Sequence, residues 1–176
     1  MRGFRTHRYP TPEQIRPAGE FVAGVLSSLR RTVSVGDNLL EIDAEVHRMI
    51  REAGATSCYL DYHPSFGASP FGKVFCLSVN NAVLHGRPYD RTLESGDLLS
   101  MDFAIELEGW VADSSLSIVV GEQREDHLKL IRDTESVMWA GIGAARAGNT
   151  VGDIGHAVET RAAELGYTIN HEFGGH

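Results

Sequence analysis

The chain has 176 residues, of which 42% are hydrophobic and 23% charged, and this composition predicts a globular protein with a sizeable core. Its formal net charge is −8, and its basic residues form no run longer than Arg30-Arg31, so nucleic-acid binding is not expected. Two cysteines, Cys58 and Cys76, are too few for a disulfide scaffold, and neither CxxC nor CxxH metal spacing occurs.

The hydropathy pattern gives no sign of a membrane-spanning or exported chain. No run of 18 apolar residues occurs, and the basic segment MRGFRTHRYPTPEQ is not followed by the apolar stretch of a secretion signal. We therefore expect a cytoplasmic protein without membrane partners, in a reducing environment that keeps both cysteines free.

The first predicted helix begins with Thr11 as N-cap, Pro12 at the first helical position and Gln14 completing a capping box. Pro17 lacks a backbone donor, so we expect it either to kink this helix or to move its start to Arg16. The apolar residues that follow with helical period are Ile15, Ala18, Val22, Val25, Leu26 and Leu29.

A second helix is predicted after Gly36-Asp37, with Gly54 as its stop. Its apolar face is Leu39, Ile42, Val46, Met49 and Ile50.

From Ser57 the spacing of apolar residues changes toward a period of two, which indicates strands. The strand-like runs are SCYLDY, VFCLSV, LLSMDFAIEL and WVADSSLSIVV. A loop from His63 to Lys73 separates the first two of these runs.

Two further helices are predicted, from about Glu125 to Ala147 and from about Val151 to Leu165, with a glycine after each. A last short strand, YTINHEF, leads into the terminal Gly-Gly-His. Because helices bracket the strands instead of alternating with them, the order of elements favours an α+β fold.

A hairpin is predicted where Glu108-Gly109 separates two alternating runs. If these two residues form the turn, Leu107 pairs with Trp110, and the register of both strands follows. One face of the hairpin is then almost entirely apolar, which supports this register: Leu99, Met101, Phe103, Ile105, Leu107, Trp110, Ala112, Leu116 and Ile118, with Ser114 as the exception.

The same register places Asp102 and Asp113 together on the other face. Asp113 lies opposite Ala104, which has the strand parity of Asp102, so the two aspartates are diagonal neighbours roughly 7 to 8 Å apart at the backbone. Two carboxylates so placed repel unless a cation neutralises them, and a pair of divalent ions is a common solution in hydrolytic sites. The alternative is a merely solvated polar face, which also contains Ser100, Glu106, Ser115 and Ser117.

Four segments together resemble the type I methionine aminopeptidases in order and spacing. They are SVNNAVLHG (78–86), ESGDLLSMD (94–102), GWVADSS (109–115) and EFGGH (172–176). The resemblance implies the pita-bread (creatinase/aminopeptidase-like) α+β fold, truncated to roughly its first half plus the start of the second, with residues 1–176 as a single, incomplete catalytic domain. It also implies removal of the N-terminal methionine from nascent proteins at the ribosome.

By this resemblance, Asp102, Asp113 and His176 are ligands of two divalent metal ions. Carboxylate and imidazole together suit Co, Mn, Fe or Zn and do not decide among them. His85 matches the family's catalytic, substrate-contacting histidine and would help to move protons. The alternative for His85 is a packed histidine at a strand end.

The resemblance also places Tyr62 and Cys76 in the pocket for the methionine side chain, with Phe66 as a further candidate. Tyr59 stands where the family often has a small cysteine, and the loop after Tyr62 is longer than is typical, so the pocket is expected to differ in shape. Tyr62 and Cys76 are alternatively core residues. For His63 we expect a structural hydrogen bond.

The family's two glutamates that complete the metal site, and its second histidine near the substrate, have no counterpart in the sequence. We therefore expect the 176-residue chain alone to be inactive and to need a complementing C-terminal fragment. Two alternatives are a non-catalytic module that binds peptides or partners, and a related enzyme of the same fold that cleaves before proline or acts on creatine. The motif from Asn80 to Gly86 argues against the latter.

Overall fold

The computed structural model describes residues 11–63, 67 and 69–174, and the chain divides into two compact units, residues 1–122 and 123–176. Helices combined with an antiparallel sheet confirm the α+β prediction. The first unit holds α1 (Pro12–Thr32), α2 (Leu39–Glu52), β1 (Thr56–Ser57), β2 (Cys76–Val79), β3 (Leu98–Leu107) and β4 (Trp110–Val119), and the second holds α3 (Glu125–Ala144) and α4 (Val151–Glu164).

Helix α1 begins at Pro12, as the capping residues predicted, and the amide of Thr11 donates to the side chain of Gln14 at 3.0 Å. A start at Arg16 is wrong, because Pro17 lies inside the helix and removes only one backbone bond. Burial of the apolar face against β3 and β4 sustains the helix around it. The buried residues are Ala18, Val22, Val25, Leu26 and Leu29, whereas Ile15 is exposed.

Helix α2 has the predicted limits. The side chain of Asn38 caps it by accepting from the amide of Leu40 at 2.9 Å, and Gly54, with φ of 67°, follows its last turn. The buried carboxylate of Asp43 accepts from the amide of Val74 at 3.0 Å. This bond fastens the segment that leads into β2 to the helix.

Strand β3 is the centre of the sheet. Its whole length pairs with β4 along one edge, and β1 and β2 share the other edge, at residues 105–106 and 99–102 of β3 respectively. The strand predicted for SCYLDY is wrong beyond Ser57, because Cys76 of β2 already pairs with Asp102 where that run would have continued. The chain turns instead at Ser57, whose hydroxyl accepts from the amides of Tyr59 and Leu60 at 3.1 and 3.3 Å.

The predicted β3–β4 hairpin is confirmed. Leu107 pairs with Trp110, and the intervening Glu108 and Gly109 have φ values of 55° and 84°. Left-handed conformations at both central residues define a type I′ turn, whose twist matches that of the strands. The turn therefore determines which residues of β4 face α1.

The second unit differs from the prediction at two places. Helix α3 ends at Ala144 instead of Ala147, because the side chains of Arg146 and Asn149 donate to the carbonyls of Gly143 and Ala144 and so close its last turn. The segment YTINHEF is not a strand, since it pairs with no strand in the described part of the chain and turns where the Asn170 side chain accepts from the amide at 172. No helix among the described residues is long and apolar enough to cross a membrane.

Asp97 holds together the long connection between β2 and β3. Its side chain is almost fully buried and accepts from the Asn80 side chain at 2.7 Å, from Arg91 at 3.0 Å and from the amide of Glu94 at 2.9 Å. Burial acts to raise the pKa of Asp97, but the hydrogen bonds from Glu94, Arg91 and Asn80 outweigh it and keep the pKa below its ordinary value. The folded state therefore favours the ionised carboxylate.

The turn leads to a first prediction. Glu108→Asn should raise the free energy of unfolding by about 0.5 kcal/mol, because asparagine tolerates the left-handed conformation better than glutamate. Urea denaturation would measure the change. Glu108→Ala is the matched control, since it removes the same carboxylate without favouring positive φ, and equal stabilisation by alanine would contradict the explanation.

Asp97 leads to a second prediction. Asp97→Asn should lower the free energy of unfolding near pH 7 by about 2 kcal/mol, because it weakens charge-assisted bonds to buried donors. Since the folded pKa lies below the unfolded value of about 3.9, this stabilisation is complete above that value and is lost as pH falls through the folded pKa. Urea titrations at several pH values should therefore show the two proteins converging in acid. Glu20→Gln, at an exposed position of α1, should show neither effect.

Candidate metal centre

The structure brings Asp102 and Asp113 to one face of the hairpin, as the predicted register required. Asp102 pairs with Ser115 and Asp113 with Ala104, which makes the aspartates diagonal neighbours across β3 and β4. Asp102 is half-buried and Asp113 is exposed. The opposite face packs against α1, so the aspartate face is the one available to a ligand.

The other edge of β3 adds both cysteines to this face. Cys76 pairs directly with Asp102, and the amide of Cys58 donates to the carbonyl of Ala104 at 3.2 Å, extending the register of β1 by one residue. Paired residues of neighbouring strands present their side chains to the same side of a sheet. The aspartate face thus receives residues from three segments that are distant in sequence.

Tyr59 adds a hydroxyl group from the turn after β1. The phenol donates to Oδ1 of Asp102 at 3.1 Å. Its ring packs edge-on against Phe71, with centroids 6.1 Å apart and an interplanar angle of 79°. Tyr59 is therefore in direct contact with a predicted metal ligand.

The two aspartates influence the pKa values of neighbouring side chains. Burial and the nearby carboxylates of Asp102 and Asp113 raise the pKa of the Cys76 thiol to about 12. Burial and the same two carboxylates also raise the pKa of the Tyr59 phenol. Both groups therefore stay protonated near neutral pH.

His85 is held beside β2 by its neighbour Gly86. The amide of Gly86 donates to the hydroxyl of Ser78 at 3.0 Å, and its carbonyl accepts from the amide of Leu77 at 2.8 Å. A Cβ at Gly86 would clash with the Leu77 carbonyl, so only glycine fits. His85 is exposed with a φ of 53°, which does not fit the packed strand-end alternative.

The remaining predicted residues lie in different surroundings. Cys76 is 4% exposed, whereas Tyr62 is 59% exposed and is therefore not a core residue. His63 makes the expected structural hydrogen bond, at 2.9 Å to a backbone carbonyl of its own loop. Phe66 and His176 lie outside the described residues.

The donor atoms of the aspartate face fit part of a divalent metal site. Carboxylate oxygens suit Mn, Fe, Co and Zn, and two on one face provide the negative charge that such ions require. Among the described residues, no group of three or more His, Cys, Asp or Glu side chains is placed to hold a metal ion. Asp102 and Asp113 are thus the two predicted ligands that lie among the described residues, on one face of the hairpin.

Sequence reasoning missed the contact of Tyr59 with Asp102 and the support that Ser78 gives to Gly86. Tyr59 lies in a turn, where the alternation of apolar and polar residues does not indicate which way a side chain points. No local signal could therefore have placed its hydroxyl. The pairing of Cys76 with Asp102 was equally hidden, because the long connection from β2 to β3 leaves their register free.

Known proteins similar to this chain include several methionine aminopeptidases. The sequence model of metallopeptidase family M24 matches residues 13–176. Methionine aminopeptidase 1 of Mycobacterium tuberculosis is 38% identical over 153 residues, which cover 85% of this chain and 55% of that protein. The chain thus spans little more than half the length of that relative, and 64% of the methionine aminopeptidase of Aquifex aeolicus.

Solved structures agree with the predicted pita-bread fold. The crystal structure of methionine aminopeptidase from Rickettsia prowazekii matches with a TM-score of 0.88 and 29% identity, over 96% of this chain and 67% of that one. A prolidase from Pyrococcus furiosus matches with a TM-score of 0.74 over 88% of this chain and 43% of that one, but at 20% identity it shows the fold alone. With its family match, its methionine aminopeptidase relatives and this fold, the chain belongs to metallopeptidase family M24.

Proposed function

We propose that this chain carries part of the active site of a divalent-metal-dependent aminopeptidase that removes methionine from the N-termini of polypeptides. The observation that supports this function best is the pairing of Asp102 and Asp113 on one face of the hairpin. Two carboxylates with protonated neighbours form a site of concentrated negative charge, which a divalent ion would neutralise.

In this proposal, Asp102, Asp113 and His176 are ligands of two divalent ions, which are Co, Mn, Fe or Zn. When bound, such ions polarise a carbonyl group and lower the pKa of water. Membership of a metallopeptidase family supports a metal-dependent reaction in general. The methionine aminopeptidase relatives support the specific choice of an N-terminal methionine.

The substrate would contact His85 and a pocket for the methionine side chain. The ring of His85 is exposed, and an imidazole is a side chain suited to moving protons during catalysis. Cys76 would present a protonated thiol to the methionine side chain, and Tyr62 would contribute at the rim. The natural substrates would be nascent polypeptides at the ribosome.

The complete activity is proposed to need a further polypeptide segment that supplies the remaining metal ligands. The greater length of the relatives supports this requirement. Residues 1–176 would then be one part of a catalytic domain that a complementing C-terminal fragment completes.

The third prediction tests this function. With Co²⁺ or Mn²⁺, the chain combined with the C-terminal portion of a homologue should release methionine from a Met-Ala-Ser peptide, and the chain alone should not. Asp113→Asn should lower this activity by more than the roughly 10- to 100-fold that is typical of residues behind a ligand. The unfolding free energy should stay nearly unchanged, because Asp113 is exposed.

Glu106→Gln is the matched control, because Glu106 is an exposed carboxylate with the strand parity of Asp102 and is not among the predicted ligands. Near-normal turnover of Asp113→Asn would show that Asp113 is not a metal ligand and belongs to a merely solvated polar face. Peptide binding without metal binding or methionine release would instead indicate the non-catalytic peptide-binding module.

A further inference from the structure

We propose that Tyr59 is a positioning residue that orients the carboxylate of Asp102 for metal binding. This inference rests on the proposed function, in which Asp102 is a ligand. It concerns a position where the chain departs from the resembled family, which often has a small cysteine there. A cysteine side chain is too short to replace a phenol that reaches Asp102 from the neighbouring turn.

The hydrogen bond restricts the one part of Asp102 that the sheet leaves free. The backbone of Asp102 is held from both sides, by Cys76 in β2 and by Ser115 in β4. Rotation of the carboxylate is then the main remaining freedom, and the 3.1 Å bond from Tyr59 to Oδ1 limits it. An ionised carboxylate has about four acceptor positions, so Oδ2 and one lone pair of Oδ1 stay available to a cation.

Tyr59 is suited to this role because it is itself well anchored. Its amide donates to the hydroxyl of Ser57 at 3.1 Å, which fixes the turn. Its ring packs edge-on against Phe71, and the amide of Phe71 donates to the carbonyl of Tyr62 at 2.8 Å. A donor anchored at backbone and ring loses little further freedom when it orients a ligand.

Co²⁺ binding by the chain combined with the C-terminal portion of a homologue provides a test that does not depend on peptidase activity. Affinity and the visible absorption of bound Co²⁺ would be measured for the wild type, Tyr59→Phe and Asp102→Asn. Tyr167→Phe is the matched control, because the Tyr167 hydroxyl also donates to an aspartate, Asp133, at 2.9 Å, and neither residue is among the predicted ligands. Each tyrosine variant thus removes one hydroxyl and one tyrosine–aspartate bond.

We expect Tyr59→Phe to weaken Co²⁺ binding by about tenfold and to shift its absorption, as loss of a partner behind a metal ligand does. Asp102→Asn should weaken binding further, and Tyr167→Phe should change neither property. Unchanged affinity and absorption in Tyr59→Phe, or an equal loss in Tyr167→Phe, would overturn the inference while leaving the proposed function in place. Absence of Co²⁺ binding by the wild type in this complemented form would overturn both.

Discussion

The register of the β3–β4 hairpin is the constraint on which the candidate site depends. Side chains alternate along a strand with a period of two, so a slip by one residue would exchange the two faces of a strand. Such a slip in β3 would turn Met101 and Phe103, both fully buried, away from the core. Burying a side chain of this size contributes about 2 kcal/mol to the free energy of unfolding, so such a slip would be strongly unfavourable. Core packing therefore favours the same pairing as the Glu108-Gly109 turn.

The central position of β3 then gathers the rest of the aspartate face. With β4 along one edge, and β1 and β2 in series along the other, Asp102 has neighbours on both sides. Burial and the nearby carboxylates keep the adjacent thiol and phenol protonated. The face therefore combines a rigid backbone, two carboxylates and neutral donors.

The position of His85 is determined in a different way, because His85 lies in an irregular connection instead of a strand. Gly86 approaches β2 too closely for any side chain, and its backbone makes two hydrogen bonds to that strand. The buried carboxylate of Asp97 accepts hydrogen bonds from three other residues of the same connection and so stabilises it. A loop secured at both places can hold a functional side chain while leaving it exposed.

The sequence by itself determined the features that depend on local periodicity and local capping: helices α1 and α2, the hairpin, and the common face of Asp102 and Asp113. It overextended the first strand and proposed a strand near residue 170, because alternation cannot show whether a partner edge is free. Only the tertiary structure decided that Cys76 lies opposite Asp102 and that Tyr59 donates to it. Those contacts join segments separated by long loops, whose path is determined by packing and not by any short-range preference of the chain.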